Sequence, residues 1–476
     1  LPELEPKTRN KMMHDTLILC CHEGVKETKQ AFGNLFSQVD YLCKAHGIKV
    51  ADKIAIQTMR RHSNSQEPLS SEDLKYDARA LAIFISAVFG VDVPHELNVL
   101  IPHTNRPYQK GLEINNRRIR CIVKNWDSDF IRVDIDQDAD EEEYLIQLKD
   151  EENHIDHTYL WDILKEGMQL NLLDCQVKQP IITPRLIVVE PDYLVDISSI
   201  ATCFTAFGHH PLLYLLNQMK PRANTQATLL GNFAGAALDD IINTNGKYQM
   251  NETIKTNFRE KALEFCTCPW FDAKKFYTDA NQQAFNLQQV VDILFPRTAS
   301  QAQMSAFRGE SLYDRKKAIL EPSFVCEALG IQGRVDLMTT DCKLLVEQKS
   351  GRNMNIETHQ VDPGYHSYQL EPHYVQLLLY YGVLQHNFKL SNDRVNIRLL
   401  YSKYQPQDGL MVVAYYQKLF KEAIEYRNQL VAASFEIAKE GFEHALNEFT
   451  PEVLNVAGTQ DFFYNKYLKP QIEAIT

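Results

Sequence analysis

Leu329-Gly-Ile-Gln-Gly-Arg-Val-Asp-Leu-Met338, then Thr339-Thr-Asp-Cys342, then Lys343-Leu-Leu-Val-Glu-Gln-Lys-Ser350 is the stretch that decides how this chain is read. Two apolar-rich runs separated by four residues without a large apolar side chain predict a β-hairpin. Side chains alternate along a strand, so Glu347 and Lys349 share one face while Val346 and Gln348 point to the other. With Asp341-Cys342 as the two-residue turn, Thr340 pairs with Lys343, and counting outward puts Asp336 opposite Glu347. Facing residues on one sheet surface stand roughly 4.5–5.5 Å apart at Cβ, near enough for both carboxylates to hold one divalent cation. Mg2+ takes oxygen ligands and commonly only one or two protein carboxylates, which leaves room for water and a phosphate. Such an ion acidifies a water and neutralises charge on a scissile phosphate, and Lys349 beside it can orient that water or offset negative charge. The spacing therefore predicts a metal-dependent phosphodiesterase. The competing reading is an ordinary surface hairpin with a Glu/Lys pair on its wet face.

Downstream, Glu371-Pro-His-Tyr-Val-Gln-Leu-Leu-Leu-Tyr-Tyr-Gly-Val-Leu384 opens with proline in its first turn and continues apolar, which predicts a helix. His373, Gln376 and Tyr380 recur at i, i+3 and i+7 and form one polar stripe in an apolar surround. That stripe must face something polar. It is either a site or a set of backbone groups satisfying a buried Gln and Tyr.

In order, G-x-x-D from Gly333 to Asp336, E-x-K from Glu347 to Lys349 and Q-x-x-x-Y from Gln376 to Tyr380 resemble the PD-(D/E)xK nuclease superfamily in its RecB-like branch. Within that branch the chain looks most like the nuclease part of the flap-processing helicase-nucleases of replication. Glu321-Pro-Ser323, Glu347-Gln-Lys-Ser-Gly-Arg352 and His373-Tyr-Val-Gln-Leu-Leu-Leu-Tyr380 are similar to segments of that group. Residues 186–201 look like the segment that opens its nuclease domain, and residues 229–239 like its first helical motif. The resemblance spans residues 186–400. It implies a restriction-endonuclease-like mixed α/β core, Mg2+ as cofactor with Mn2+ able to substitute, and single-stranded or flap DNA as substrate. It also implies roles. Asp336 and Glu347 would be metal ligands, the Gln348 carbonyl a third, and Glu321 a further candidate near the metal. Lys349 would be the catalytic lysine, and Gln376 and Tyr380 would contact the DNA backbone or steady that lysine. Arg352 and His373 would join them against DNA.

The chain departs from the group in two places. Where relatives carry a metal-binding His it has Gly235, for which Asp239 or Asp240 substitutes only if the helix turns one of them inward. Many relatives also hold an iron-sulfur cluster with one Cys before the nuclease motifs and three after. Here Ala206 stands near the first position and no Cys follows Cys342, so no iron-sulfur cluster of that layout is expected.

The ten cysteines include no C-x-x-C pair, and Cys20-Cys21 and Cys266-Thr-Cys268 are too close for a disulfide ladder or a four-ligand zinc site. They are expected to stay thiols in a reducing cytoplasm. The start lacks a charged residue group followed by a long apolar run, and the most apolar window, Ala80 to Val91, is too short to cross a bilayer. A soluble, cytoplasmic protein with no membrane partner is the expectation.

At 476 residues and 44% hydrophobic content, two to three domains with substantial cores are expected. The net charge of −12 does not advertise a nucleic-acid partner, so local distribution matters more than the total. Acids crowd from Asp134 to Glu143, read as a solvated loop because an EF-hand's glycine turn and terminal glutamate are missing. Basic groups gather at Arg117-Arg-Ile-Arg120, Lys220-Pro-Arg222 and Arg315-Lys-Lys317, and could line a DNA path.

Four regions follow. Residues 1–105 read as helical, with helical spacing from Thr28 to Ala45 and from Leu74 to Phe89. Residues 106–185 switch to period two, with strands at 118–123, 130–134 and 144–148, and fit a small β-barrel of the oligonucleotide-binding type or a plain β-sandwich. Residues 186–400 form the nuclease core, and residues 401–476 a helical tail running through Leu410–Glu448. The fold class is thus multidomain α/β. A G-x-x-x-x-G-K-[ST] phosphate loop is missing, so the helicase motor that the resemblance implies is expected in a longer chain or a partner subunit. His209-His210 is a poor metal pair, since adjacent helical residues diverge by about 100°. No G-x-S-x-G elbow supports serine catalysis. Two rivals share the motifs: a catalytically inactive DNA-binding scaffold with the nuclease fold, and a nuclease component of anti-phage defence.

Overall fold

The computed structural model describes residues 5–28, 31–32, 35–63, 68–106, 116–135, 144–178, 180–219, 224–361, 368–390, 394–441, 444, 447–456, 465–466 and 469–475. The acidic residues 136–143 and the basic Lys220-Pro-Arg222 lie outside these. Among the described residues no helix is long and apolar enough to cross a membrane.

The N-terminal region packs the helices Pro6–Gly24, Leu35–Ala45, Val50–His62 and Ser71–Phe89 around Leu17, Leu42, Ile56 and Phe84. Ser70 and Asp73 close a reciprocal cap at the start of the last of these, and Gly90 ends it at φ 65°, where a Cβ would strain the backbone. The helical spacing from Thr28 overran the helix. Ala31–Phe32 is instead a short strand that pairs in parallel with Met411 and Val412 of the central sheet.

The next region is a closed five-stranded barrel. Its strands are Asn116–Trp126, Phe130–Ile135, Tyr144–Gln147, Gln169–Lys178 and Ile181–Thr183. Tyr144–Gln147 pairs in parallel with Ile181–Thr183, and Gln169–Lys178 returns to pair with Asn116–Trp126, which shuts the ring. Alternate residues fill it: Ile119, Cys121 and Val123, Ile131 and Val133, Leu170 and Leu172. Leu186–Val189, which the sequence reading placed at the opening of the next region, hydrogen-bonds to Leu170–Leu173 and extends the barrel sheet. Four consecutive apolar residues do not reveal which sheet they join.

The remaining residues build a mixed six-stranded sheet in the order Ala31–Phe32, Leu410–Val413, Asn396–Tyr401, Leu344–Lys349, Leu337–Thr339, Ala318–Leu320. Leu410–Val413 was read as part of a helical tail. It is a strand because its β-branched residues are buried on both faces, and the tail helix begins only at Gln417 and runs to Glu440. One face of the sheet, with Leu345, Ile397, Leu399 and Val413, packs on the helices Glu371–Phe388 and Gln417–Glu440. The other, with Leu337, Leu344, Val346 and Leu400, packs on Gln226–Asn243 and Ala273–Leu294. Within it, fully buried Arg398 forms a two-pronged pair with Glu310 at 2.6 and 3.1 Å.

Arg427 joins barrel to core. Its buried guanidinium donates to the carbonyls of Gly330 and Glu190 at 3.1 and 3.0 Å, to that of Tyr193 at 2.6 Å, and to that of Val189. Asn428 beside it donates to Ile187 O and accepts from Val189 N–H at 2.8 and 2.9 Å. Two side chains of one helix thus hold the segment that leaves the barrel.

Candidate active site

The sequence treats residues 329–338 as one strand, but the backbone divides there. Ile331–Arg334 belongs to a small separate sheet with Val195–Asp196 and Ser323–Cys326, while Leu337–Thr339 joins the central sheet. Val335 and Asp336 form the break. The far side of the hairpin keeps its register: Leu337 faces Val346 and Met338 faces Leu345, so Asp336, one residue beyond the last pair, comes next to Glu347. The break is held by Glu321 N–H, which donates to Asp336 O at 2.9 Å, and by the Tyr380 hydroxyl, which donates to Arg334 O at 2.6 Å. Gly333 makes room for that ring. A Cβ there would stand 3.0 Å from Tyr380 Cε1 and 3.1 Å from its hydroxyl.

Asp336 Oδ2 accepts the Gln348 backbone N–H at 2.6 Å. Lys349 Nζ donates to Glu347 Oε1 and to Gln376 Oε1, both at 2.8 Å. Gln376, from the helical stripe, therefore holds the lysine head together with Glu347. Glu347 is 3% exposed, and its Oε2 has no hydrogen-bond partner. Burial and then the charge of Asp336 push the Glu347 carboxyl up to about 8, against the pull of Lys349. Burial also raises Asp336, against the Gln348 amide and Lys349. Two acids that disfavour each other's ionisation, one with an orphan oxygen, form a place where a cation relieves both repulsion and desolvation.

Two further acids border the pair. Asp239, on the helix Gln226–Asn243, is pushed up to about 7 by burial and then by Glu321 and Asp336. Asp240 faces away and accepts from Thr253 Oγ1 at 2.5 Å. The helix therefore turns Asp239, and not Asp240, toward the acids. One turn before it, Gly235 has open space where a Cβ would stand. Glu321, exposed at φ 48°, pairs with Arg334 at 3.2 Å, so its carboxylate is held at the rim. Among the described residues no three His, Cys, Asp or Glu side chains converge as a preformed metal cage. Asp336 and Glu347 with their orphan oxygen fit an ion that completes its coordination with water and backbone.

The other sequence candidates lie around this centre. Tyr380 is 2% exposed and acts on the backbone break. His373 Nδ1 meets the Tyr401 hydroxyl at 2.9 Å, and burial followed by Lys349's charge holds its imidazole down at about 3, so it is neutral. Arg352 is exposed and pairs with Glu357 at 2.5 Å. The Gln348 side chain points to the opposite sheet face and donates to Ser402 Oγ at 2.6 Å. Sequence reading missed the support beneath: Ser402 Oγ also donates to Gln283, whose amide donates to Ser350 O at 2.9 Å, and Asn286 holds Ser402 O at 2.9 Å. The one signal was polar Gln283 and Asn286 at helical spacing among the apolar positions Ala280, Ala284 and Leu287 of the amphipathic helix Ala273–Leu294. His209, read as helical, sits in a two-residue strand and bridges Glu371 and Glu422 at 2.8 and 2.7 Å.

No protein-family model matches the chain, and no curated protein matches its sequence.

Proposed function

We propose that the chain is a divalent-cation-dependent deoxyribonuclease that hydrolyses phosphodiester bonds of single-stranded or flap DNA with a PD-(D/E)xK core. The observation that carries this reading is the meeting of Asp336, Glu347 with its unpartnered Oε2, and Lys349 pinned between Glu347 and Gln376. Asp336 and Glu347 would hold Mg2+ or Mn2+, which when bound supplies a water of lowered pKa and offsets charge on the phosphate. Lys349 places its ammonium beside the same carboxylates, where it can donate a proton to a phosphate oxygen or orient the attacking water. Gln376 fixes that ammonium, and Tyr380 fixes the turn that carries Asp336. The nearby five-stranded barrel has the strand count that oligonucleotide-binding folds use. In the resembled group such a core works with a helicase motor, and that partner belongs to the proposal.

The test is degradation of a labelled single strand with Mg2+ or Mn2+. Wild type should cut, Asp336→Ala should be inactive, and Lys349→Ala should fall by about 10²–10⁴-fold. Equal cutting by all three would refute the assignment. The second reading, a scaffold that binds DNA without cutting, is favoured by Gly235 at the expected histidine position and by the absence of a three-acid cage among the described residues. It would show DNA binding with no cation-dependent cleavage.

A further inference from the structure

A cleft of about 1000 Å³ lies where the N-terminal helices, the barrel and the central sheet meet. That is the upper end of what one small molecule fills, roughly 300–1,000 Å³. Among its lining residues Asp40 is the one acid, and Lys44 and Lys53 share it at 3.0 and 3.1 Å. Five more cations line the cleft: Arg60 and Arg61 from the helix Val50–His62, Arg185 from the barrel, and Lys418 and Lys421 from the helix Gln417–Glu440. Seven cations against one carboxylate, in a chain of net charge −12, is a strong segregation of charge. The cations also crowd one another. Burial and then Arg61's charge pull the Arg60 guanidinium down, and burial with Arg185 does the same to Lys421 against Glu425. Like charges pressed together and partly stripped of water favour an anion among them. Tyr415 and Tyr416 stand on the same wall, so rings sit among the cations, the mix that single strands use.

The cleft is separate from the acid pair. Neither Asp336, Glu347 nor Lys349 lines it, and Ile397, which does, stands two residues, about 7 Å of strand, from Leu399, the residue level with Glu347.

We infer that this cleft is a second, non-catalytic site that holds the phosphate backbone of single-stranded nucleic acid, with Arg60, Arg61, Arg185, Lys418 and Lys421 as its phosphate contacts. Choosing nucleic acid over other polyanions rests on the nuclease reading. The cleft is built from three regions, so it holds a strand only in the full chain.

The test uses the 476-residue chain in EDTA, where a metal-dependent enzyme cannot cut, and a fluorescent 12-nucleotide single strand as probe. Arg61, Arg185 and Lys418 are exposed, so Arg61→Glu/Arg185→Glu/Lys418→Glu should fold. It should lose at least tenfold in affinity, with the slope of log K against log salt shallower by about 2. A control with the same charge change at exposed lysines outside the cleft, Lys149→Glu/Lys255→Glu/Lys439→Glu, should keep the wild-type affinity. Equal loss in both variants, or no loss in the first, overturns the inference. So does binding of inorganic tripolyphosphate without binding of the oligonucleotide. The two readings fail separately: a chain that binds here and never cuts sinks the nuclease alone, and one that cuts but ignores the reversal sinks the cleft alone.

Discussion

Glu347 is buried and His209 half-buried, and their partners decide opposite outcomes. Glu347 lies beside another acid and keeps an oxygen without a partner, at a cost of about 1–3 kcal/mol that a cation at the site would remove. His209 lies between two glutamates. Burial disfavours its charge, but hydrogen bonds and charge from Glu371 and Glu422 more than offset that and raise it to about 9. The unfolded value is near 6.5, so the folded state binds the proton more tightly. Its contribution is complete below about pH 6.5 and fades as pH rises toward 9. Wild type should therefore lose roughly 1–3 kcal/mol more than His209→Gln between pH 6 and pH 9 in urea unfolding, after discounting the partly exposed Glu422. Parallel pH profiles for the two proteins would show that the bridge contributes nothing.

At the scale of elements, the division of the strand at Val335-Asp336 presents the acid to Glu347, and Tyr380 maintains it. Tyr380→Phe keeps the ring against Gly333 and leaves Arg334 O without its donor. It should lower stability by about 1–2 kcal/mol and cleavage by roughly tenfold, through looser placement of Asp336. Cleavage at the wild-type rate would mean the hydroxyl does not position the acid. The hairpin register was legible in the sequence because period-two alternation puts Glu347 and Lys349 on one face, but the two-residue turn was not: the strands end at Thr339 and Leu344, and Cys342 N–H closes onto Thr339 O. The stripe of His373, Gln376 and Tyr380 was legible because 3.6-residue spacing puts those residues on one side. The division of the strand was not, because Ile331 to Thr339 reads as one run whichever sheet receives it. Nor were Leu410–Val413 and Leu186–Val189, whose continuous apolar character fits a buried helix or a strand of either sheet. The choice of Asp239 over Asp240 depended on the rotation of a helix, which two adjacent acids do not encode.

Across the whole molecule, buried Arg427, with Asn428 beside it and Asn171 reaching Glu327 O and Ala328 O, ties the barrel to the core. Arg427→Met leaves carbonyls of Gly330, Val189, Glu190 and Tyr193 without that donor. The expected cost is about 3–5 kcal/mol, with one thermal transition splitting into two as barrel and core part. A single transition at the wild-type temperature would show that the regions are coupled by other contacts. The central claim is that Asp336 and Glu347 share one cation, and titration calorimetry with Mn2+ tests it most directly. Wild type should bind one ion, and Asp336→Asn and Glu347→Gln should each lose that binding. Unchanged Mn2+ binding in both variants would contradict it.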